Sequence, residues 1–167
     1  PWKYKDKVAL IGDACHAILP FLGQGANAGF EDCQVLVECI KKQPNDWETI
    51  LKEYEAQRKP NTDAIADLSY ENFLVLQKEV ADPRFQLRRR IERKVQSLYP
   101  ERASASQYYN IAFAGTPYIE ALHIEKQYRT KIDEIININS IEEMLETPEG
   151  NSLIENTFKN IFCKDEK

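Results

Sequence analysis

Residues 8–32 read VALIGDACHAILPFLGQGANAGFED, and this stretch decides how the chain can fold. It begins with the short apolar run Val8–Ile11, which is followed by Gly12-Asp13, a pattern typical of a buried strand that ends in a turn. A strand is stable only beside other strands, and the rest of the sequence has no second run of this kind. We therefore expect the sheet partners to come from elsewhere and the chain to be part of a larger protein.

The second half of the stretch predicts a helix that begins near Asn27. Glu31 and Asp32 lie in its early turns, and Lys41 and Lys42 lie at its end. These charges match the positive start and the negative end of a helix dipole. Apolar residues at helical spacing between the two ends support the same prediction.

The loop between strand and helix has the chemical features of a cofactor cradle. Asp13 follows the strand, where ligands of open α/β sheets bind, and its carboxylate can accept hydrogen bonds from sugar-like hydroxyls. Gly23, Gly25 and Gly29 lack side chains, so the backbone can approach a flat ligand. The N-terminus of the helix offers free N–H groups to negative charge. From spacing alone, a purely structural turn is an equally good interpretation.

The composition is that of an ordinary globular chain. It has 167 residues, 43% of them hydrophobic, which suffices for a core. A net charge of -5, from 22 basic and 27 acidic residues, argues against a nucleic-acid partner. No apolar run approaches the roughly 18 residues of a membrane span. The four cysteines show neither CxxC nor zinc-ligand spacing, so we predict no metal and a reduced, cytoplasmic setting.

The remaining chain is predicted to be helical. Asp46 can cap a helix that runs through Tyr54 and is interrupted by Pro60, which cannot donate the helical hydrogen bond. Further helices are predicted over residues 62–80, 85–98 and 117–136, with two short helices in the tail divided by Pro148-Glu149-Gly150. Residues 108–113 stay ambiguous between a short strand and the start of a helix.

Residues 12–33, GDACHAILPFLGQGANAGFEDC, resemble the second flavin-binding motif of the FAD-dependent aromatic hydroxylases, GD-x-x-H-x-x-x-P-x-x-GQG-x-N. The continuation AGFEDC looks most like the members that hydroxylate kynurenine. Residues 54–73, YEAQRKPNTDAIADLSYENF, are similar to the stretch that supplies their substrate contacts. The resemblance extends to about Tyr118. It implies that the chain is the C-terminal third or so of such an enzyme, without the GxGxxG motif of the first part.

The resemblance assigns the cofactor FAD to four residues of the motif. Asp13 would bond the ribityl hydroxyls, and Ala26 and Asn27 would offer backbone groups at the pyrimidine edge of the isoalloxazine. Gly25 would also contact the cofactor. The dipole of the following helix would stabilise the reduced, anionic flavin.

The same resemblance assigns a loop to the flavin face where oxygen reacts. Its members are Pro20, Phe21, Gly23, Gln24 and Gly25. Asn72 matches the asparagine that holds the amino-acid end of the substrate. Tyr108 best matches the tyrosine that joins it, with Tyr109 as the alternative. The resemblance identifies no certain catalytic acid or base.

The implied fold is mainly α in this chain, with one strand of an α/β, Rossmann-like FAD-binding domain, and an α+β flavin monooxygenase fold when complete. Residues 1–43 would end the FAD domain, 44–136 would form a helical domain that covers the substrate, and 137–167 an acidic helical tail. The missing partner would be the N-terminal portion of the same enzyme.

The implied activity is hydroxylation of L-kynurenine to 3-hydroxykynurenine with NADPH and O2, through a flavin C4a-hydroperoxide. We expect the chain alone to be inactive, because half of the FAD cradle is missing. Two alternatives remain open. One is a related aromatic hydroxylase with another substrate, and the other is a helical interaction module that keeps a flavin-like loop without binding flavin.

Other polar residues receive plainer interpretations. His16 belongs to the motif and is expected to be structural, while His123 is expected on a helix surface. A basic cluster is interpreted as a solvated helix face paired with Glu92 and nearby acids. Its members are Arg84, Arg88, Arg89, Arg90 and Arg93.

Overall fold

The computed structural model describes residues 1–78, 82–100 and 116–162, and within them the chain is mostly helical with one small sheet. Its elements in chain order are β1 (Lys3–Tyr4), β2 (Val8–Ala9), α1 (Asp13–His16), a 3-10 turn (Pro20–Leu22), α2 (Gly25–Lys42), α3 (Trp47–Lys78), α4 (Pro83–Leu98), α5 (Tyr118–Ile136), α6 (Ile141–Met144) and α7 (Pro148–Phe162). The predicted mainly helical class is confirmed. No helix among the described residues is long and apolar enough to cross a membrane.

The strand prediction was wrong in placing all sheet partners outside the chain. Val8–Ala9 pairs with Lys3–Tyr4 in an antiparallel hairpin, so the strand has a partner within the chain. Lys5 between the two strands adopts a left-handed φ of 54°, which allows the tight connection. Val8 is 52% exposed within this chain, so the burial of the apolar run in a larger protein stays a prediction. The charged PWKYKDK segment lacks the apolar alternation from which a strand is predicted.

The chain forms two compact units. The first consists of residues 1–74 and 117–122, and the second of residues 75–116 and 123–167. Trp2 and Tyr54 are the largest side chains of a hydrophobic cluster in the first unit, together with Cys39, Ile50 and Leu51. The core of the second unit consists of Leu87, Ile91, Val95, Ile132, Ile135, Ile141, Leu145, Ile154 and Phe158. The predicted domain boundaries at residues 43 and 136 stay a prediction.

Helix α3 continues through Pro60, where the sequence predicts an interruption. Two side chains beside the proline bond backbone carbonyls of the preceding turn. The Asn61 amide donates to the Gln57 carbonyl at 3.1 Å, and the Thr62 hydroxyl donates to the Arg58 carbonyl at 3.2 Å. Buried side chains lie on both sides of the proline, namely Tyr54, Ile65 and Leu68. Packing over this length outweighs the local cost of one proline, which is about 3 kcal/mol.

The tail differs from its prediction at the position of the break. Pro148 begins α7, and the break lies before it. Proline suits the first turn of a helix because the missing N–H would have no helical partner there. Gly150 packs so closely that a Cβ would lie 2.1 Å from the Met144 carbonyl oxygen. The helix predicted over residues 117–136 is confirmed as α5.

Candidate functional site

The turn at Gly12-Asp13 presents a carboxylate at the surface. Gly12 has a φ of 61° and a ψ of -143°, a combination that only glycine adopts readily. Its carbonyl accepts hydrogen bonds from the backbone N–H groups of Cys15 and His16, at 3.0 and 3.1 Å, and so begins α1. Asp13 is the first residue of that short helix and is exposed. The conformation of the glycine therefore fixes where the Asp13 carboxylate emerges.

The predicted flavin-face loop has an exposed rim and a buried anchor. Pro20, Phe21 and Gly23 are exposed, and Gly23 ends the 3-10 turn in the left-handed region with a φ of 65°. Gln24, predicted to line the flavin face, is only 4% exposed. Its side chain donates to the Leu22 carbonyl at 3.3 Å, so it holds the loop from inside.

Two further side chains bond the buried Gln24 amide. Its oxygen accepts hydrogen bonds from the Asn27 amide at 3.0 Å and from the Tyr118 hydroxyl at 3.3 Å. Burial raises the pKa of the Tyr118 phenol above its ordinary value, so the group remains a donor at neutral pH. The first residue of α5 thereby stabilises the conformation of a loop 94 positions earlier in the chain.

The N-terminus of α2 is open to a ligand. The helix begins at Gly25, two residues before the predicted start, and no side chain caps it. The first N–H groups of a helix have no partner within it. Ala26 and Asn27 are exposed, so these donors and the positive end of the helix dipole can meet an electronegative ligand edge. Lys41 and Lys42 close the helix as predicted.

Asp32 does not serve the helix dipole, which corrects the sequence interpretation. It lies beyond the first turn of α2 and is fully buried. One carboxylate oxygen accepts from the Gly12 N–H at 3.0 Å and from His16 Nε2 at 2.5 Å, while the other accepts from Arg58 Nε at 2.7 Å. Burial alone would raise the pKa of Asp32, but the hydrogen bonds from Arg58, His16 and Gly12 outweigh it and lower the pKa.

Arg58 of α3 is the second member of this network and is 4% exposed. Besides Asp32, it donates to a Glu31 carboxylate oxygen at 2.7 Å and to the Ala28 carbonyl at 3.1 Å. Burial opposes the charge, but the bonds to the two carboxylates raise the pKa of Arg58. Local spacing gives no sign of this pairing, because it joins residues 26 positions apart.

His16 is buried within this network, which supports its interpretation as a structural residue. Its ring is 7% exposed and lies 5.3 Å from the Trp2 ring. Because Asp32 is ionised, His16 Nε2 carries the hydrogen in their bond. Together with Cys15, these residues place three possible metal-ligand atoms within 4.8 Å. All three already bond protein groups, and burial raises the pKa of the Cys15 thiol.

One face of α3 follows the loop. The Tyr54 hydroxyl donates to the Leu10 carbonyl at 3.1 Å, and the Ser69 hydroxyl donates to the Leu19 carbonyl at 2.6 Å. The Asn72 amide, predicted to contact substrate, donates to the Phe21 carbonyl at 3.1 Å. The structure therefore brings Asn72 to the flavin-face loop.

Aromatic rings lie beside Asn72. The Phe21 ring is 5.0 Å from the Phe73 ring, and the Tyr70 ring is 6.3 Å from Phe73. Sequence reasoning missed Tyr70 and Phe73, although their positions on either side of Asn72 in SYENF are a signal that could have drawn attention to them. Tyr108 and Tyr109 lie outside the described residues.

The basic cluster of α4 makes the pairings that its interpretation predicts. Arg88 forms an ion pair with Asp133, and Arg89 pairs with Glu92 at 3.5 Å. Arg84 bonds the Asn137 amide oxygen at 2.9 Å.

The sequence of the chain matches known proteins. Residues 3–69 match the family model described as FAD binding domain. Kynurenine 3-monooxygenases from Flavobacterium johnsoniae and Flavobacterium psychrophilum are 47% and 50% identical to the chain over 149 residues. The chain is homologous to kynurenine 3-monooxygenases. The alignments cover 89% of this chain but 33% of each relative, so the chain spans about a third of the length of these relatives. The kynurenine 3-monooxygenase of Legionella pneumophila (strain Corby) is 40% identical over 81% of the chain and 30% of its own length.

These matches confirm the predicted cofactor, FAD, and the residues present fit it. Asp13 is exposed beside the turn at Gly12, and the uncapped start of α2 offers donors to the solvent. A Cβ at Gly25 would meet nothing within 4 Å, which leaves open space beside its backbone. The assignment of individual residues to the cofactor stays a proposal.

Proposed function

We propose that the chain supplies part of the FAD site, and a helix beside the substrate, in an enzyme that hydroxylates L-kynurenine to 3-hydroxykynurenine. NADPH and O2 would be consumed, with NADP+ and water as the other products. The observation that carries the proposal is the exposed, uncapped N-terminus of α2 behind the Gly12-Asp13 turn, within residues that match an FAD binding domain. Bound FAD would carry the electrons and activate oxygen.

The residues of the chain would hold and orient the cofactor. Asp13 would accept hydrogen bonds from the ribityl hydroxyls, since a carboxylate is an acceptor for such groups. The N–H groups at Gly25, Ala26 and Asn27 would bond the pyrimidine edge. There the helix dipole would favour negative charge on the reduced cofactor.

Asn72 would bind the amino-acid end of the substrate beside the loop. Its amide nitrogen donates to the Phe21 carbonyl, and its amide oxygen remains a potential acceptor for an ammonium group. The neighbouring rings of Phe21 and Phe73 offer apolar surface to an aromatic ligand. Tyr108, with Tyr109 as the alternative, stays a proposed partner in this contact.

The partner of the chain would be the portion that corresponds to the other two thirds of its relatives, about 67% of their length. The polypeptide that contains this chain and that portion is called the complete enzyme below. Support comes from apolar side chains of the first unit that this chain leaves exposed: Val8 at 52%, Phe30 at 73% and Val37 at 47%. The chain alone would then be inactive, and a cytoplasmic location stays a prediction.

The test is a flavin spectrum and a kinetic assay of the complete enzyme. We expect a yellow protein whose NADPH oxidation depends on kynurenine and yields 3-hydroxykynurenine. Asp13→Ala should bind FAD too weakly to retain it through purification, whereas Asp63→Ala, which removes an exposed carboxylate paired with Lys59, should keep it. Turnover of another aromatic acid but not kynurenine would indicate a related hydroxylase. A wild-type protein that is colourless, and whose binding to its partner is unaltered by Asp13→Ala, would indicate the interaction module.

A further inference from the structure

Arg58 joins α3 to α2 beside the Gly12-Asp13 turn. It projects from α3 and bonds Asp32, Glu31 and the Ala28 carbonyl of α2. Asp32 in turn bonds the Gly12 N–H and His16, which stand on either side of Asp13. Two consecutive hydrogen bonds therefore connect the Arg58 side chain to the backbone of the turn.

Burying this network costs desolvation free energy that an apolar core would not require. Arg58 is 4% exposed and Asp32 is fully buried, so both charges have lost their hydration. Replacing a buried ion pair with apolar side chains of similar volume is often neutral or stabilising. Buried charges with defined partners instead restrict the local geometry to one arrangement. Here the restricted element is the turn that carries the proposed FAD ligand.

We propose that Arg58, acting through Asp32, is a positioning residue that fixes the Gly12-Asp13 turn for FAD. The proposal rests on the proposed function. Arginine is required because its planar guanidinium points donors at three acceptors at once, whereas a lysine ammonium is a single compact charge. Arg58 reaches Asp32, Glu31 and the Ala28 carbonyl through three separate nitrogens, Nε, Nη1 and Nη2, whereas the donors of a lysine all leave one nitrogen and cannot reproduce this spacing.

The test compares Arg58→Lys with the wild-type complete enzyme. FAD dissociation constants are measured on the flavin-free proteins by fluorescence titration, and hydrogen exchange is measured in residues 12–16. We expect Arg58→Lys to bind FAD about tenfold more weakly, because small misplacement of a contacting group is costly, and to exchange faster in residues 12–16. Lys59→Met, which removes an exposed pair on the same helix, should change neither quantity.

A double-mutant cycle separates positioning from a general loss of stability. If Arg58 acts through the turn, Arg58→Lys should weaken FAD binding less than twofold further in an Asp13→Ala background, since coupled effects are not additive. The effects of Arg58→Lys and Asp13→Ala on the melting temperature, in contrast, are expected to be additive. Should Arg58→Lys fail to fold, Glu31→Gln, which removes the charge of the half-exposed acceptor, should weaken FAD binding about threefold.

Three results would overturn the proposal. The first is an unchanged FAD affinity in folded Arg58→Lys. The second, where Arg58→Lys does not fold, is an unchanged FAD affinity in Glu31→Gln. The third is full additivity of the effects of Arg58→Lys and Asp13→Ala on FAD affinity. A wild-type enzyme that binds no FAD would overturn the proposed function as well, so the two failures are distinguishable.

Discussion

The two units of the chain differ in what they bury. In the first unit, charged and polar side chains are enclosed with the apolar ones: His16, Gln24, Asp32, Arg58, Thr62 and Ser69. The core cluster of the second unit consists of aliphatic residues and one phenylalanine. Apolar cores need little beyond correct volume, whereas buried polar groups need specific partners. We infer that the buried polar groups of the first unit fix the geometry of its loop, whereas the apolar core of the second unit contributes stability.

The largest expected effect is in the polar core. Asp32→Ala leaves the Arg58 charge buried without its main partner and removes the acceptor of Gly12 and His16. We expect a loss of about 3–5 kcal/mol in the free energy of unfolding, together with loss of FAD binding. Urea denaturation and flavin titration of the complete enzyme measure the two. A loss below about 1 kcal/mol would show that the network is dispensable.

Ile132→Ala probes the apolar core of the second unit. The side chain is fully buried, so its truncation should cost about 2–5 kcal/mol in the free energy of unfolding. Because no proposed FAD contact lies in this core, the folded variant should keep the wild-type FAD dissociation constant. Loss of flavin affinity equal to that of Asp32→Ala would remove the functional distinction between the units.

The dependence of stability on pH should separate the two cores further. The pKa of Asp32 in the folded chain lies below its ordinary value of 3.8. Its contribution to stability is therefore full above pH 3.8 and is lost as the pH falls through the lowered pKa. The stability difference between wild type and Asp32→Asn should be constant from pH 7 to about pH 5 and shrink below about pH 4. Ile132→Ala should show a constant difference from wild type over the same range, as measured by chemical denaturation.

The smallest effect is expected at the surface of α3. Lys59 pairs with Asp63 one turn away, and both side chains are largely exposed. Lys59→Met should change the free energy of unfolding by less than about 0.5 kcal/mol, because solvent and salt screen such pairs. A change as large as that of Asp32→Ala in the same urea titration would contradict the contrast between buried and exposed pairs.

Local patterns were sufficient to predict α2 and α5, because their apolar spacing and end residues lie within a few turns. They were insufficient for β1, whose two residues are too short to show alternation, and for Pro60, where long-range packing outweighs local preference. The motif pointed to Asp13 and the start of α2, since both lie in one continuous stretch, and their roles toward the cofactor stay proposals. Arg58 and Asp32 come together only in the folded chain, so no local spacing reveals them.

The most direct test of the central claim is hydrogen exchange of the complete enzyme with and without FAD. We predict that FAD slows exchange in residues 12–16 and at the start of α2, while α7 is unchanged. Binding of FAD without any protection in these two segments would contradict the assignment of the cofactor to them.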